Sequence, residues 1–148
     1  MSGAGTGTGA GTGTKGSVRL FVYGSLLPGE YNHSLIRPFV LSAVPGSVAG
    51  RLVDVGPYPA LLLEPGGIAR GLWMEIRKEG LPLLDELEEF HGIEESNDYE
   101  RVWLADAAHP SLQGWGYVWT DSRGYPYAAS AWWPDVASGR PELKVRDE

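Results

Sequence analysis

No cysteine occurs among the 148 residues of this chain, which removes disulfides, thiolate nucleophiles and cysteine-ligated zinc together. The three histidines, His33, His91 and His109, stand in no H-x-x-x-H or related ligand spacing, so no metal is expected. Missing too is any run approaching the ~18 consecutive apolar residues of a membrane helix. Positive charge is scarce: 12 Lys and Arg against 19 Asp and Glu leave a formal charge of −7. That balance argues against nucleic acid and against anionic membrane surfaces, both of which select basic patches. It mildly favours neutral or cationic small partners. With no Walker loop and no G-x-G-x-x-G, phosphate-bearing cofactors have no cradle, and no cofactor is expected. The G-x-S-x-G nucleophile elbow is absent as well, because Ser25 follows Gly24 but has Leu27 two residues on. A Ser25 nucleophile would need the fold to bring His33 to it.

What is present is enough for one globular domain. A chain of this length buries a core without staples, and 43% apolar with 21% charged residues is a soluble composition. Residues 1–17 are almost entirely Gly, Ala, Thr and Ser. They bury nothing against chain entropy and are expected to be disordered. They lack the basic start and apolar core of a signal peptide, so a cytoplasmic location is expected. The folded domain is expected over residues 18–136, followed by a loose charged tail at 137–148.

The domain is organised around Leu20-Phe21-Val22-Tyr23-Gly24-Ser25-Leu26-Leu27-Pro28-Gly29. Its first half alternates with period two and is apolar on both faces, which predicts a central strand covered on two sides. It breaks at Gly24-Ser25, where the missing Cβ allows a turn and lets a ligand approach the peptide N–H groups. Such amides bind an anion or an oxyanion without a charged side chain.

Asn32 is a plausible cap for a short helix ended by Pro38. Phe39–Leu41 with Val44, then Ser47–Val55, Ala60–Leu63, Ala69–Ile76, Tyr99–Leu104 and Gly114–Thr120 read as strands. Gly50 and Gly71 inside strands suggest bulges or bends. The Gly56-Pro57-Tyr58-Pro59 turn is rigid and aromatic. Residues 79–91 are the one convincing helix, with Leu84 and Leu87 on its apolar stripe and Gly92 as C-cap. At 100° per residue Glu88 stands about 40° from Leu84 at one margin, while Glu86 stands at the other. Periodicity does not choose between them. The pattern predicts an α+β domain on a small mixed β-barrel with flanking helices.

Leu20-Phe21-Val22-Tyr23-Gly24-Ser25-Leu26 resembles the F-V-Y-G-[ST]-L signature of the gamma-glutamylcyclotransferase-like family, which includes the AIG2-like proteins. Pro28-Gly29, Asn32-His33 and Tyr58-Pro59-Ala60 follow in order. Leu84-Asp85-Glu86-Leu87-Glu88 resembles the family's L-D-x-L-E, and Tyr99-x-Arg101 follows it. The resemblance spans roughly residues 18 to 120. Departures are Glu89, where a glycine is frequent, and a C-terminal segment unlike the family's usual ending.

The resemblance implies a small mixed barrel with flanking helices, and a reaction. The α-amine of a γ-glutamyl compound attacks its own side-chain amide, releasing 5-oxoproline and a free amine. By correspondence the general acid/base is Glu88, which breaks the tie with Glu86. The substrate-binding residues are Tyr23, Gly24, Ser25, Leu26, Tyr58 and Arg101, and the partner is a small-molecule γ-glutamyl substrate. The released amine is open: an amino acid, a polyamine-like amine, a glutathione fragment or an aminoglycoside side chain. A binding module of the same fold, with Glu88 as a fixed counter-charge, is the alternative. Release of 5-oxoproline separates the two readings.

Overall fold

The structure is a computed structural model, and it describes residues 16–30, 32–83 and 99–140. Seven strands carry it: β1 (Ser17–Val22), β2 (Val40–Ala49), β3 (Arg51–Asp54), β4 (Pro59–Leu62), β5 (Ile68–Arg77), β6 (Glu100–Ala105) and β7 (Gln113–Val118). Two short helices lie wholly within the described residues, α1 (His33–Ile36) and α2 (Trp133–Ala137). Five strands form one mixed sheet in the order β2-β5-β1-β7-β6, and β3 pairs with β4 as a separate hairpin. β1 runs antiparallel to β5 and parallel to β7.

The central position of β1 follows from its apolar character on both faces. One face carries Phe21, packed with Trp73, Val48, Leu104, Val118 and Trp133. The other carries Leu20 and Val22 against Met74, Ile76, Leu26, Leu27, Ile36 and Tyr117. Phe21 and Trp73 are register partners with ring centroids 5.0 Å apart. A buried indole needs an acceptor, and Trp73 Nε1 donates to Asp106 Oδ1 at 2.9 Å. Burial opposes ionisation of Asp106, but the amides of Ser47, His109 and Ala108 and the Trp73 indole together hold its carboxyl below the usual range.

The α+β class is as expected, but the barrel is a loose description. Among the described residues no strand ladder closes the large sheet. The β3–β4 hairpin is instead tied to it by single bonds, Trp119 N–H to Leu61 O at 2.9 Å and Gly50 N–H to Gly67 O at 3.0 Å. The expected strand over 47–55 breaks at Gly50 into β2 and β3. Gly71 marks no bulge: it pairs in register with Gly46, and a Cβ there would collide with the Val22 carbonyl. Close approach of β1 is what excludes a side chain. The register shift of β2 lies between Val40 and Ser42 instead.

Pro38 does not end α1 abruptly, because Arg37–Phe39 continues it as one 3₁₀ turn. Of the expected helix over 79–91, Lys78–Gly80 is a 3₁₀ turn and residues 81–83 are helical. Residues 84–98, with Glu86, Glu88 and Glu89, lie outside the described residues, as do 1–15. Ser17, placed at the end of the expected disordered tail, opens β1 and is buried. No helix of the described residues is long and apolar enough to cross a membrane.

Arg140 falls in the segment expected to be loose, yet it grips Asp54 through two bonds, at 2.9 and 2.7 Å. The Arg140 hydrogen bond is the main reason the Asp54 carboxyl titrates below its ordinary value. A depressed carboxylate contributes stability that is present above its unfolded pKa and lost as the pH falls through its folded one. Arg140→Met should therefore cost about 1–2 kcal/mol at neutral pH. The difference between variant and parent should shrink as the pH falls through and below the ordinary carboxylate range. Urea unfolding of both proteins at pH 7 and pH 3 checks this, and an undiminished difference at pH 3 would contradict it.

Candidate functional site

β1 and β7 are parallel neighbours, and the chain leaves the carboxyl end of β1 through Tyr23-Gly24-Ser25-Leu26. Just beyond these ends lies a cleft of about 440 Å3, its open mouth included. The end of β1, Tyr23 to Leu26, Tyr58 and Pro59, Tyr99, and Tyr117 line it. A crevice outside the carboxyl ends of parallel strands is where a sheet most readily admits a ligand.

The loop is built by local chemistry. Leu27 N–H donates to Gly24 O at 3.0 Å, closing one turn, and Glu30 N–H donates to Leu27 O at 2.9 Å, closing the next. In the second turn Pro28 and Gly29, with φ +85°, occupy the central positions of a type II turn. No backbone carbonyl of the described residues accepts from the Ser25 or Leu26 amide. Asn32 does not cap α1. Its Nδ2 donates to Ser25 Oγ at 3.0 Å, and its own amide donates to Ser25 O at 2.8 Å. His33 Nδ1 engages Leu26 O at 2.8 Å. The residues after the loop thus hold Ser25 and Leu26 in place. No imidazole is the partner of Ser25 Oγ among the described residues, so the covalent Ser25–His33 arrangement is not formed.

Gly24 also meets a steric requirement that the sequence does not show. A Cβ there would meet Pro59 Cγ at 2.8 Å and Cδ at 2.9 Å. The glycine is used by the facing wall of the cleft, which presses directly on the loop. Its φ is unexceptional, so close approach alone accounts for it.

The other walls come from tyrosines. Tyr23 OH donates to Tyr117 O at 2.7 Å, tying the end of β1 to β7. Tyr99 OH donates to Pro59 O at 3.5 Å, and its ring lies 5.8 Å from that of Trp119. Among the residues predicted from sequence, Tyr23, Gly24, Ser25, Leu26 and Tyr58 meet at the cleft. Arg101 is exposed on β6, its guanidinium carbon 5.9 Å from the Trp115 ring centroid. It is not among the described lining residues, but it stands opposite Tyr117 in the ladder and so shares that face of the sheet. Glu88 lies outside the described residues. Pro59, beside Tyr58 in its aromatic turn, lines the cleft as well, and Tyr99 and Tyr117 are lining residues not singled out from sequence as binding. Tyr99 was legible as part of Tyr99-x-Arg101, whereas Tyr117 reads only as a strand residue until its neighbours are known.

The described lining carries no carboxylate, imidazole or ammonium. It offers phenol and serine hydroxyls, backbone amides and apolar surface, which can bind and orient a polar molecule.

Comparison with known proteins places this geometry. Residues 20–135 match the family described as gamma-glutamyl cyclotransferase, AIG2-like. A curated relative from Niallia circulans, gamma-L-glutamyl-butirosin B gamma-glutamyl cyclotransferase, is 41% identical over 103 residues. That match covers 68% of this chain and 65% of the relative, so the chain spans just under two thirds of the relative's length. Among solved structures, an uncharacterized protein of Pyrococcus horikoshii superposes with a TM-score of 0.65 at 18% identity, over 85% of this chain and 98% of that one. An AIG2-like protein of Mus musculus gives 0.60 at 23% identity, over 89% of this chain and 97% of that one. Both likenesses concern the fold. With its signature loop at the cleft and the match running from β1 through the start of α2, the chain belongs to the gamma-glutamyl cyclotransferase, AIG2-like family.

Proposed function

We propose that this protein is a γ-glutamyl cyclotransferase acting on a small γ-glutamyl amide. The observation that carries the reading is the 41% identity to a relative named for that activity. The cleft chemistry agrees with it. In the reaction the substrate α-amine attacks the δ-carbonyl carbon, a new C–N bond closes the five-membered ring, and the original amide C–N bond breaks. The proton lost by the attacking amine is delivered to the leaving amine. The products are 5-oxoproline and a free amine, and neither an oxidant nor a cofactor enters.

Because the nucleophile belongs to the substrate, the enzyme's task is orientation, oxyanion stabilisation and one proton shuttle. The Ser25 and Leu26 amides and the Ser25 hydroxyl are the donors for the oxyanion or the substrate carboxylate. Ser25 Oγ already accepts from Asn32 Nδ2, which leaves its own proton to donate. Tyr23, Tyr58, Tyr99 and Tyr117 shape the apolar walls around the glutamyl chain. Arg101 is the candidate to pair with a substrate carboxylate. Proton transfer requires a carboxylate that the described lining lacks, and the resemblance of Leu84-Asp85-Glu86-Leu87-Glu88 to L-D-x-L-E makes Glu88 the candidate.

The test is a panel of γ-glutamyl compounds, γ-L-glutamyl-butirosin B among them, with 5-oxoproline and the released amine read by mass spectrometry. Release of both from at least one compound is expected. Binding without release across the panel would overturn the enzyme reading in favour of a binding module. Ser25→Ala removes one neutral donor, a loss of about three- to tenfold in kcat/KM. Abolished turnover in a folded Ser25→Ala protein would instead point to a covalent mechanism.

A further inference from the structure

Arg140 lies just beyond α2, 86 positions from Asp54 in sequence, and its guanidinium reaches the turn that precedes the Tyr58-Pro59 wall of the cleft. Nη2 donates to Asp54 Oδ2 at 2.7 Å, while Nη1 donates to Asp54 Oδ1 at 2.9 Å and to the Gly56 carbonyl at 2.9 Å. The same Asp54 Oδ1 accepts from the Gly56 amide at 3.0 Å, and Val55 N–H closes the turn on Tyr58 O at 3.1 Å. Gly56 has φ +114°, a backbone state that side chains rarely tolerate. One planar fork therefore grips the carboxylate before the turn and the carbonyl inside it. The turn delivers Tyr58 and Pro59 directly to the cleft. The other end of the device is firm: Trp133 of α2 is buried in the core, and the Arg140 guanidinium carbon lies 5.7 Å from its ring centroid.

We propose that Asp54 and Arg140 form a positioning clamp that sets the Tyr58 wall of the cleft, so that the C-terminal segment governs how tightly substrate is held. The identity of that substrate rests on the cyclotransferase reading; the clamp itself does not. A clamp that merely fastened the chain end to β3 would change thermal stability and nothing else well below the unfolding temperature. One that acts through Tyr58 changes substrate binding, and its effect disappears once Tyr58 is gone. A relaxed wall loses contacts shared by the ground and transition states, which raises KM and spares kcat.

The experiment is a double-mutant cycle in the full chain, on a γ-glutamyl compound that the parent cyclises. Arg140→Met is expected to raise KM about five- to twentyfold with kcat changed less than about threefold. Arg140→Lys keeps the charge but not the fork and should fall between. Tyr58→Ala should raise KM comparably, and Arg140→Met added to Tyr58→Ala should raise it no further. Multiplying effects, or a parental KM in Arg140→Met, would overturn the clamp. A second readout needs no turnover: 3-fluorotyrosine placed at position 58 alone should give a fluorine resonance that shifts or broadens on Arg140→Met. An unmoved, unbroadened resonance is the other result that overturns it. If Arg140→Met fails to fold, Arg140→Lys and Asp54→Asn carry both measurements. Should the parent release 5-oxoproline from no compound, the cyclotransferase reading fails while the fluorine resonance still decides the clamp.

Discussion

Glu88→Gln should lower kcat by about 10²–10⁴-fold, the usual contribution of a positioned proton shuttle, while the protein stays folded and binds substrate with much of its original affinity. Glutamine preserves the shape and much of the hydrogen bonding of glutamate but cannot carry a proton from the attacking amine to the leaving one. The described cleft makes this demand sharper. Its described lining from β1, the Gly24 loop, Tyr58-Pro59, Tyr99 and Tyr117 holds no carboxylate and no imidazole. Glu86→Gln and Glu89→Gln should stay within a few-fold of the parent. The acid limb of the kcat/KM profile should report the free-enzyme titration of Glu88 and should vanish in Glu88→Gln. Near-parental turnover of Glu88→Gln, on a compound the parent cyclises, would remove the assignment.

Gly24→Val is the second large effect, and its mechanism is steric. A Cβ at 2.8–2.9 Å from the Pro59 ring is closer than a real Cβ contact permits, so the loop or the facing wall must move. The loop is held by the Leu27 N–H to Gly24 O bond at 3.0 Å, and the facing wall is braced at Pro59 O by a long contact from Tyr99 OH at 3.5 Å. Any displacement therefore changes the gap between the donor loop and the tyrosine wall. A misplacement of about 1 Å costs on the order of 100-fold in rate when catalysis rests on orientation, and that is the loss expected in kcat/KM. Overpacking should also cost about 1–3 kcal/mol of stability. Gly24→Ala forces the same first contact with a smaller group and should fall between parent and Gly24→Val. Parental kcat/KM in a folded Gly24→Val protein would show that the loop does not contact the reacting substrate.

Period-two alternation and turn chemistry are local properties, and they were legible. Leu20 and Val22 on one face and Phe21 and Tyr23 on the other announced a strand covered on both sides, and β1 is the middle strand of five. Pro28-Gly29 announced a turn, and Gly29 has the positive φ such a turn requires. The signature Tyr23-Gly24-Ser25-Leu26 named the family and pointed to the loop at the cleft. What only the tertiary structure decided are meetings between residues far apart in sequence. Asn32 looks like a helix cap because its neighbours are helical, yet folding offers Ser25 Oγ as a partner. Gly24 reads as a turn at the end of a strand, and only the fold brings Pro59 against it. Gly71 looks like a bulge, but the Val22 carbonyl occupies the space a Cβ would need. Arg140 looks like part of a loose charged tail, and Asp54 is invisible to it until the β3–β4 hairpin and α2 have packed. The sequence alone determined the central strand, the turn and the family, because each is encoded within a few adjacent residues. The packing of distant side chains determined the walls of the cleft, because excluded volume and hydrogen-bond partners exist only once the chain has folded.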